Sequence, residues 1–304
     1  MRTILLRSLT GGRRSTWKRK PRKANLTLAK LKYDVIGYWS EVKLDIIREY
    51  ASAYSTIVSA QPLIRKHLYI DAFAGAGHHI SKATGNFVKG SPLNALYVRP
   101  PFSEFHLIDV DGDKANELRR VVGTRPDVTI YDEDANQVLL KRVFPRCRYE
   151  DYSRGLCLLD PYALTVDWKV IAAAGKMNSV EIFFNFMIMD ANMNVLRLNP
   201  NRVSEGQVAR MDKTWGDHSW RDIAYQKEPG LFGEMERKTD NTTVAEAFRK
   251  RLKDVAGFKY VPAPIPMRND QGAIVYYLYF ASPNKNGARI VTSIFNKYRY
   301  KGIR

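Results

Sequence analysis

Leu68-Tyr69-Ile70-Asp71-Ala72-Phe73-Ala74-Gly75-Ala76-Gly77 is the stretch whose reading decides the fold. An apolar run of strand-forming residues stops at an acid and passes into two glycines one residue apart, as a buried strand does when it turns tightly beneath a ligand. The acid bears on which ligand. A dinucleotide loop holds a pyrophosphate at a helix N-terminus, and a carboxylate beside it would repel the phosphates. Asp71 occupies that place, and Ile80 stands where the third glycine of a dinucleotide loop would be. A cofactor bearing an ammonium and a sulfonium, such as S-adenosylmethionine (SAM), would instead be attracted by the carboxylate. Gly75 and Gly77 would let backbone N–H groups approach its carboxylate tail.

Outward from this strand the chain repeats the same unit. Upstream, Trp39 to Ser59 reads as a helix with Ser40 as its cap, Val42, Ile46, Tyr50, Tyr54 and Ile57 inward, and Lys43, Arg48 and Glu49 toward solvent. Downstream, residues 78–92 read as an irregular loop and Leu93 to Val98 as a short helix before Pro100-Pro101. Strands are expected at Phe102–Ile108, Asp127–Tyr131, Gly155–Leu159 and Ile182–Ile188, with helical patterns at Ala115–Val121, Gln137–Phe144 and Trp168–Ala174 between them. Strands alternating with helices predict a doubly wound, Rossmann-like α/β sheet, with the strands' carboxyl ends gathered on one edge. Four successive strands end in acids there: Asp71, Asp109, Asp134 and Asp160.

Residues 191–240 break the alternation and read as a helical insertion over the site edge. Thr243 to Val255 is a predicted helix. Phe258–Met267 and Ala273–Ala281 read as a C-terminal antiparallel hairpin, with Pro262, Pro264 and Pro266 confining its first strand to a sheet edge, and Gly287 to Tyr298 as a last helix.

Composition narrows the partners. The net charge is +18, and residues 1–32 hold eleven Lys or Arg and no acid, leaving 38 basic and 31 acidic residues in the rest. The arm 1–32 is expected to be disordered and the domain to run from 33 to 304. Such an arm suits the phosphate backbone of a nucleic acid, DNA or RNA, because each Lys or Arg contact releases a condensed counterion; an organellar targeting peptide is the other reading. No run approaches the ~20 apolar residues of a membrane span. Two cysteines, Cys147 and Cys157, and five scattered histidines give neither a disulfide framework nor a metal pattern, so a reducing compartment, the cytoplasm, is expected.

The strand-end acids fit one ligand in order. Asp109 suits two ribose hydroxyls and Asp134 with the backbone of Ala135 the adenine edge, while Asp71 and the Phe73-Ala74-Gly75-Ala76-Gly77 loop suit the methionine end. Each acid taken alone reads equally as a helix cap or a turn residue. Asp160-Pro161-Tyr162 is the candidate reaction centre. In methyltransferases of nucleic-acid amines a polar residue, proline and an aromatic follow the fourth strand. The side chain and a proline carbonyl accept the amine's N–H bonds and the ring stacks on the base, so that positioning supplies the acceleration. Here the segment is one proline shorter than the commoner form. It also reads as a plain turn.

These segments, with Trp39-Ser40-Glu41-Val42-Lys43-Leu44, Leu107-Ile108-Asp109-Val110-Asp111, Asp132-Glu133-Asp134-Ala135-Asn136 and Tyr279-Phe280-Ala281-Ser282-Pro283-Asn284, resemble the three-Cys-motif partner protein (TcmP) family over residues 33–298. The resemblance implies a class I SAM-dependent methyltransferase fold and a separate partner protein carrying three cysteines. Two readings follow: a methyltransferase acting on nucleic acid at a base exocyclic amine, or a nucleic-acid-binding accessory protein that keeps the fold and acts through its partner. Methylation of protein or a small molecule is a third, in which the arm is incidental.

Overall fold

The computed structural model describes residues 33–230 and 233–299. The basic arm lies outside the described residues. In chain order the elements are β1 (Val35–Ile36), α1 (Tyr38–Ser59), β2 (Lys66–Asp71), β3 (His78–Ser81), β4 (Phe87–Lys89), α2 (Ser91–Leu96), β5 (Glu104–Ile108) and α3 (Gly112–Val122). Next come β6 (Val128–Tyr131), α4 (Ala135–Val138), β7 (Ser153–Leu159), α5 (Trp168–Met177), β8 (Val180–Phe186), α6 (Ile188–Asn194), α7 (Glu205–Trp215) and α8 (Trp220–Ala224). The chain continues through β9 (Tyr225–Gly230), β10 (Gly233–Lys238), α9 (Asn241–Asp254), β11 (Ile265–Arg268), β12 (Ile274–Ala281) and α10 (Lys285–Arg299).

The central sheet has seven strands in the order β11-β12-β8-β7-β2-β5-β6. β2 pairs in parallel with both β5 and β7, and β8 continues the parallel run, while β12 lies antiparallel to β8 and β11 to β12. This is the Rossmann-like sheet of class I methyltransferase type expected from the sequence, with its C-terminal antiparallel hairpin. From β2 the chain winds outward through β5 and β6, then returns to β7 on β2's other side. The carboxyl ends of β2 and β7 therefore form the switch point, where ligands of open α/β sheets sit.

Alternation along β2 shows why these strands are buried on both faces. Leu68 and Ile70 enter one core with α5, α9 and Trp215, whereas Tyr69 enters the other with α1, α2 and α10. Trp215, Phe248 and Phe186 pack as a ring cluster on the first face, with Phe186 stacked on Phe248 at 4.7 Å between centroids.

Several expectations are corrected. Helix α1 begins at Tyr38 with Gly37 as its N-cap, so Ser40 is not the cap. Lys43 faces inward, 9% exposed, instead of toward solvent. The loop 78–92 contains β3 and β4, which form a three-stranded sheet with β1. The insertion is not wholly helical: β9 and β10 make an antiparallel hairpin. Their sequences, Tyr225-Gln226-Lys227-Glu228-Pro229-Gly230 and Gly233-Glu234-Met235-Glu236-Arg237-Lys238, lack the apolar alternation that marks a half-buried strand. Residues 258–264 form no regular strand, only a bridge from Tyr260 to Ser282, because two of the three prolines fall there. β11 is indeed the sheet edge.

Candidate functional site

Asp71 closes β2 fully buried. Its Oδ1 accepts the Phe73 N–H at 3.3 Å and its Oδ2 lies 3.5 Å from the Tyr69 hydroxyl. Burial pushes its carboxyl up to about 7; Ser91 works the other way, Asp160 adds to the rise, and the Phe73 amide and Lys43 oppose it. The loop that follows needs its glycines. Gly75 and Gly77 have φ of +62° and +85°, and a Cβ on Gly77 would sit 3.0 Å from Leu118 Cδ1. The Gly75 N–H donates to Asp109 Oδ2 at 2.8 Å, and the Asp111 N–H to Asp109 Oδ1 at 2.9 Å. The loop thus fixes the acid of the next strand, and lone pairs remain on that carboxylate for hydroxyl donors.

A cavity of about 380 Å³ lies at this edge, lined by Ala72, Phe73, Asp109, Asp134, Ala135 and Tyr162, with Lys114 and Asn136 among its other walls. Such a volume lies in the range of small-molecule sites. It brings together five of the residues singled out from the sequence: Phe73, Asp109, Asp134, Ala135 and Tyr162. It does not bring in Asp71, Ala74, Gly75, Gly77, Asp160 or Pro161, which lie off its wall. Asp134 caps α4, accepting the Gln137 N–H at 3.0 Å. A wider groove of about 910 Å³ runs past Arg48, Glu49, Tyr97 and Ile294. No strand-end acid borders it, so the smaller cavity is the candidate site.

Asp160, after β7, is pinned from both sides. Its Oδ2 pairs with Lys43 Nζ and its Oδ1 accepts from Asn185 Nδ2. Burial is the largest single influence on Lys43 and works against its charge, yet Asp160, Tyr276 and Asp71 together outweigh it and raise the ammonium above its ordinary value. Lys43 also faces the Tyr276 ring at 5.6 Å. Burial pushes the Tyr276 phenol up to about 12. Beside this ion pair two buried polar atoms lack hydrogen-bond partners among the described residues, Asn185 Oδ1 and His79 Nδ1. Unpaired buried polar groups are costly, so these two atoms call for a partner such as an ordered water or a polar ligand.

The loop carrying Pro161 and Tyr162 is held at its far end. Asp190 Oδ2 accepts the Leu164 N–H at 2.9 Å, and Asn136 spans Thr165 O at 3.0 Å and the Asp167 N–H at 2.8 Å. Tyr162 is 68% exposed. Its hydroxyl donates to Asp34 Oδ2 at 2.8 Å, which also takes Lys114 Nζ at 2.9 Å. The segment just before β1 therefore clasps the cavity mouth.

Sequence reading missed Asn185, Asp34, Lys114 and Tyr276 and misplaced Lys43. Asn185 left one signal, a lone amide in the apolar run Ile182-Phe183-Phe184-Asn185-Phe186. Among the described residues no cluster of His, Cys, Asp and Glu could hold a metal ion, and no helix is long and apolar enough to cross a membrane.

No family model matches the chain, and no curated protein matches it. Among solved structures it is similar to a Legionella pneumophila protein assigned to the family model DUF519, at 11% identity and a TM-score of 0.47 over 85% of this chain and 93% of that one. It is similar to a Listeria monocytogenes protein assigned as an S-adenosylmethionine dependent methyltransferase, at 12% identity and a TM-score of 0.36 over 77% and 99%. A Leishmania major SAM-dependent methyltransferase follows at 9% and 0.34 over 80% and 82%. Likenesses this distant carry nothing about chemistry. The fold stands on the sheet order itself.

Proposed function

We propose that this chain is a SAM-dependent methyltransferase acting on nucleic acid, at an exocyclic amine of a base. The observation that carries the reading is the pairing of a cavity bearing Asp109, Asp134, Ala135 and Tyr162 with a half-buried acid, Asp160, two residues before Tyr162 and pinned by Lys43 and Asn185. The donor set suits a nucleoside: Asp109 would hold the ribose hydroxyls, Asp134 and Ala135 the adenine edge, and Phe73 would back the rings. When bound, the cofactor supplies an electrophilic methyl group.

The chain's own residues do the rest by positioning. Lys43 and Asn185 fix the Asp160 carboxylate, which accepts an N–H of the incoming amine and turns the nitrogen lone pair toward the methyl. Asn185 Oδ1 is a further acceptor without a partner. Tyr162, exposed at the mouth, offers a face on which a flipped base stacks. The basic arm draws the phosphate backbone.

The test is binding of SAM by calorimetry together with transfer of labelled methyl from SAM to total DNA, RNA and protein, comparing wild type with Asp160→Ala. The reading expects micromolar binding, label in DNA or RNA, and a loss of at least about 100-fold in Asp160→Ala with cofactor binding retained. No binding at millimolar SAM, or label in protein alone, overturns it. A second reading, an accessory protein acting through a three-Cys partner, is favoured by one feature: both Asp160 oxygens and the Tyr162 hydroxyl are already engaged within the chain. Binding of SAM with transfer appearing only when a three-Cys partner is added would support it.

A further inference from the structure

A second crevice, of about 270 Å³, opens between the start of α1 and the turn joining β11 to β12. Tyr38, Trp39, Lys82, Arg268, Asp270 and Tyr276 are among its walls. Tyr276 is shared with the reaction centre, because its ring faces Lys43 and Lys43 pairs with Asp160. Two side chains, Tyr276 and Lys43, thus link the crevice to the acid. Its chemistry differs from that of the cofactor cavity: two cations, one acid and three aromatic side chains line the start of a 22-residue helix whose cap, Gly37, supplies no side-chain acceptor. The helix end adds partial positive charge to that of Lys82 and Arg268.

An anion of the chain's own already lies there. Asp270 pairs with Lys82, and its Oδ1 lies 3.6 Å from where a Cβ on Gly37 would be. Both side chains of that pair are more than half exposed, at 62% for Lys82 and 58% for Asp270, so the pair contributes little to stability and exchanges readily. Arg268 gives one N–H to Gly272 O at 2.6 Å and has four more to offer.

We infer that this crevice is a phosphodiester subsite for the strand that carries the target base, and that Asp270 is the internal stand-in which a phosphate displaces. The inference rests on the nucleic-acid reading above and gives it a place on the fold. Cations take the phosphate, and Tyr38, 47% exposed, offers a stacking face to a neighbouring base, the combination by which single strands are held.

The experiment measures affinity of the full chain for mixed-sequence single-stranded DNA and RNA oligonucleotides as a function of salt. Wild type is compared with Lys82→Ala, Lys82→Arg, Asp270→Asn and Glu150→Gln. Glu150 precedes β7 at the opposite edge of the sheet and is a control for net charge alone. Lys82→Ala is expected to weaken binding roughly 3- to 10-fold and to reduce the salt slope by about 0.7–0.9, with Lys82→Arg restoring both. Asp270→Asn is expected to tighten binding roughly 2- to 5-fold, and Glu150→Gln to change nothing. Opposite signs at two paired residues exclude misfolding as the cause. If wild type binds but Lys82→Ala and Asp270→Asn match it, or if Glu150→Gln tightens binding as much as Asp270→Asn, the subsite is wrong and the proposed function stands. If wild type binds neither nucleic acid at low salt, the proposed function itself fails.

Discussion

Asp71 shows how much one buried carboxylate can do without touching the cavity. Burial raises its carboxyl to about 7, and Glu181, also buried, is raised to about 7 by the same cause. An acid whose folded value lies above its unfolded value binds its proton more tightly when folded. The stability it contributes is full below about pH 4 and is lost as pH rises toward 7. The free protein is therefore expected to lose melting temperature between about pH 4 and 7 through these two groups, and Asp71→Asn and Glu181→Gln each to flatten part of that slope. A cationic cofactor near the glycine loop favours the ionised form of Asp71, so its binding near pH 6 is expected to release a proton. Calorimetry in buffers of different ionisation enthalpy measures that release, and an unchanged proton count in Asp71→Asn would show that the proton comes from elsewhere. The acid itself was legible in the sequence because it ends a strand and precedes glycines. Its burial, and its exclusion from the cavity wall, were not, since both depend on how Ser91, Tyr69 and Lys43 close over it. Lys43 was misread for a related reason: helical spacing tells which face a residue shares but not what the neighbouring strand presents, and the acid that buries Lys43 lies 117 residues away.

Elements bearing a strong periodic signal fell where the sequence put them, and those set by distant contacts did not. β2, β5, β7 and β8 carry near-continuous apolar runs, as strands covered on both faces do, and were found to within a few residues. The β9–β10 hairpin and β3–β4 carry none, because polar and short strands pair through backbone alone. The start of α10 shows a third case. Tyr279-Phe280-Ala281-Ser282-Pro283-Asn284 was one of the segments behind the family resemblance; in the fold its end, with the start of α10, is a joint. Ser282 Oγ donates to Glu181 Oε1 at 2.7 Å, and the Tyr50 hydroxyl takes the other carboxylate oxygen, tying α1, β8 and the entry to α10 together. A Cβ on Gly287 would lie 2.6 Å from Tyr50 Oη and 2.7 Å from Glu181 Oε1. Gly287→Ala is therefore expected to cost about 1–3 kcal/mol and to lower the melting temperature by roughly 2–8 °C, read by calorimetry. An unshifted melting temperature would mean that the joint relaxes freely. Cofactor affinity should stay near wild type, because α10 does not border the cavity.

At the scale of the molecule, charge is distributed unevenly along the chain. The chain carries an excess of eighteen positive charges, and eleven basic residues without a single acid fall in positions 1–32. The first described residues, by contrast, are fixed: the Tyr33 hydroxyl donates to Glu117 Oε1 at 2.5 Å, and Asp34 holds the cavity-lining Tyr162 and Lys114. The arm ends immediately before Tyr33 in sequence, and under the function proposed above its role is to gather the nucleic-acid strand. Deleting residues 1–32 while keeping Tyr33 and Asp34 separates encounter from chemistry. Nucleic-acid affinity at physiological salt is expected to fall at least about tenfold, and the slope of log affinity against log salt to become shallower by about 3 or more, since each phosphate contact contributes roughly 0.7–0.9. The maximal rate of methyl transfer at saturating substrate should change less than about threefold, because the cavity, Asp160 and its two partners all lie beyond residue 32. A loss confined to KM fits an arm that gathers the strand. A collapse of kcat with the clasp residues intact would place part of the reaction centre in the arm, and an unaltered salt slope would assign nucleic-acid binding to the folded domain, with the crevice beside Tyr276 as its principal anion site.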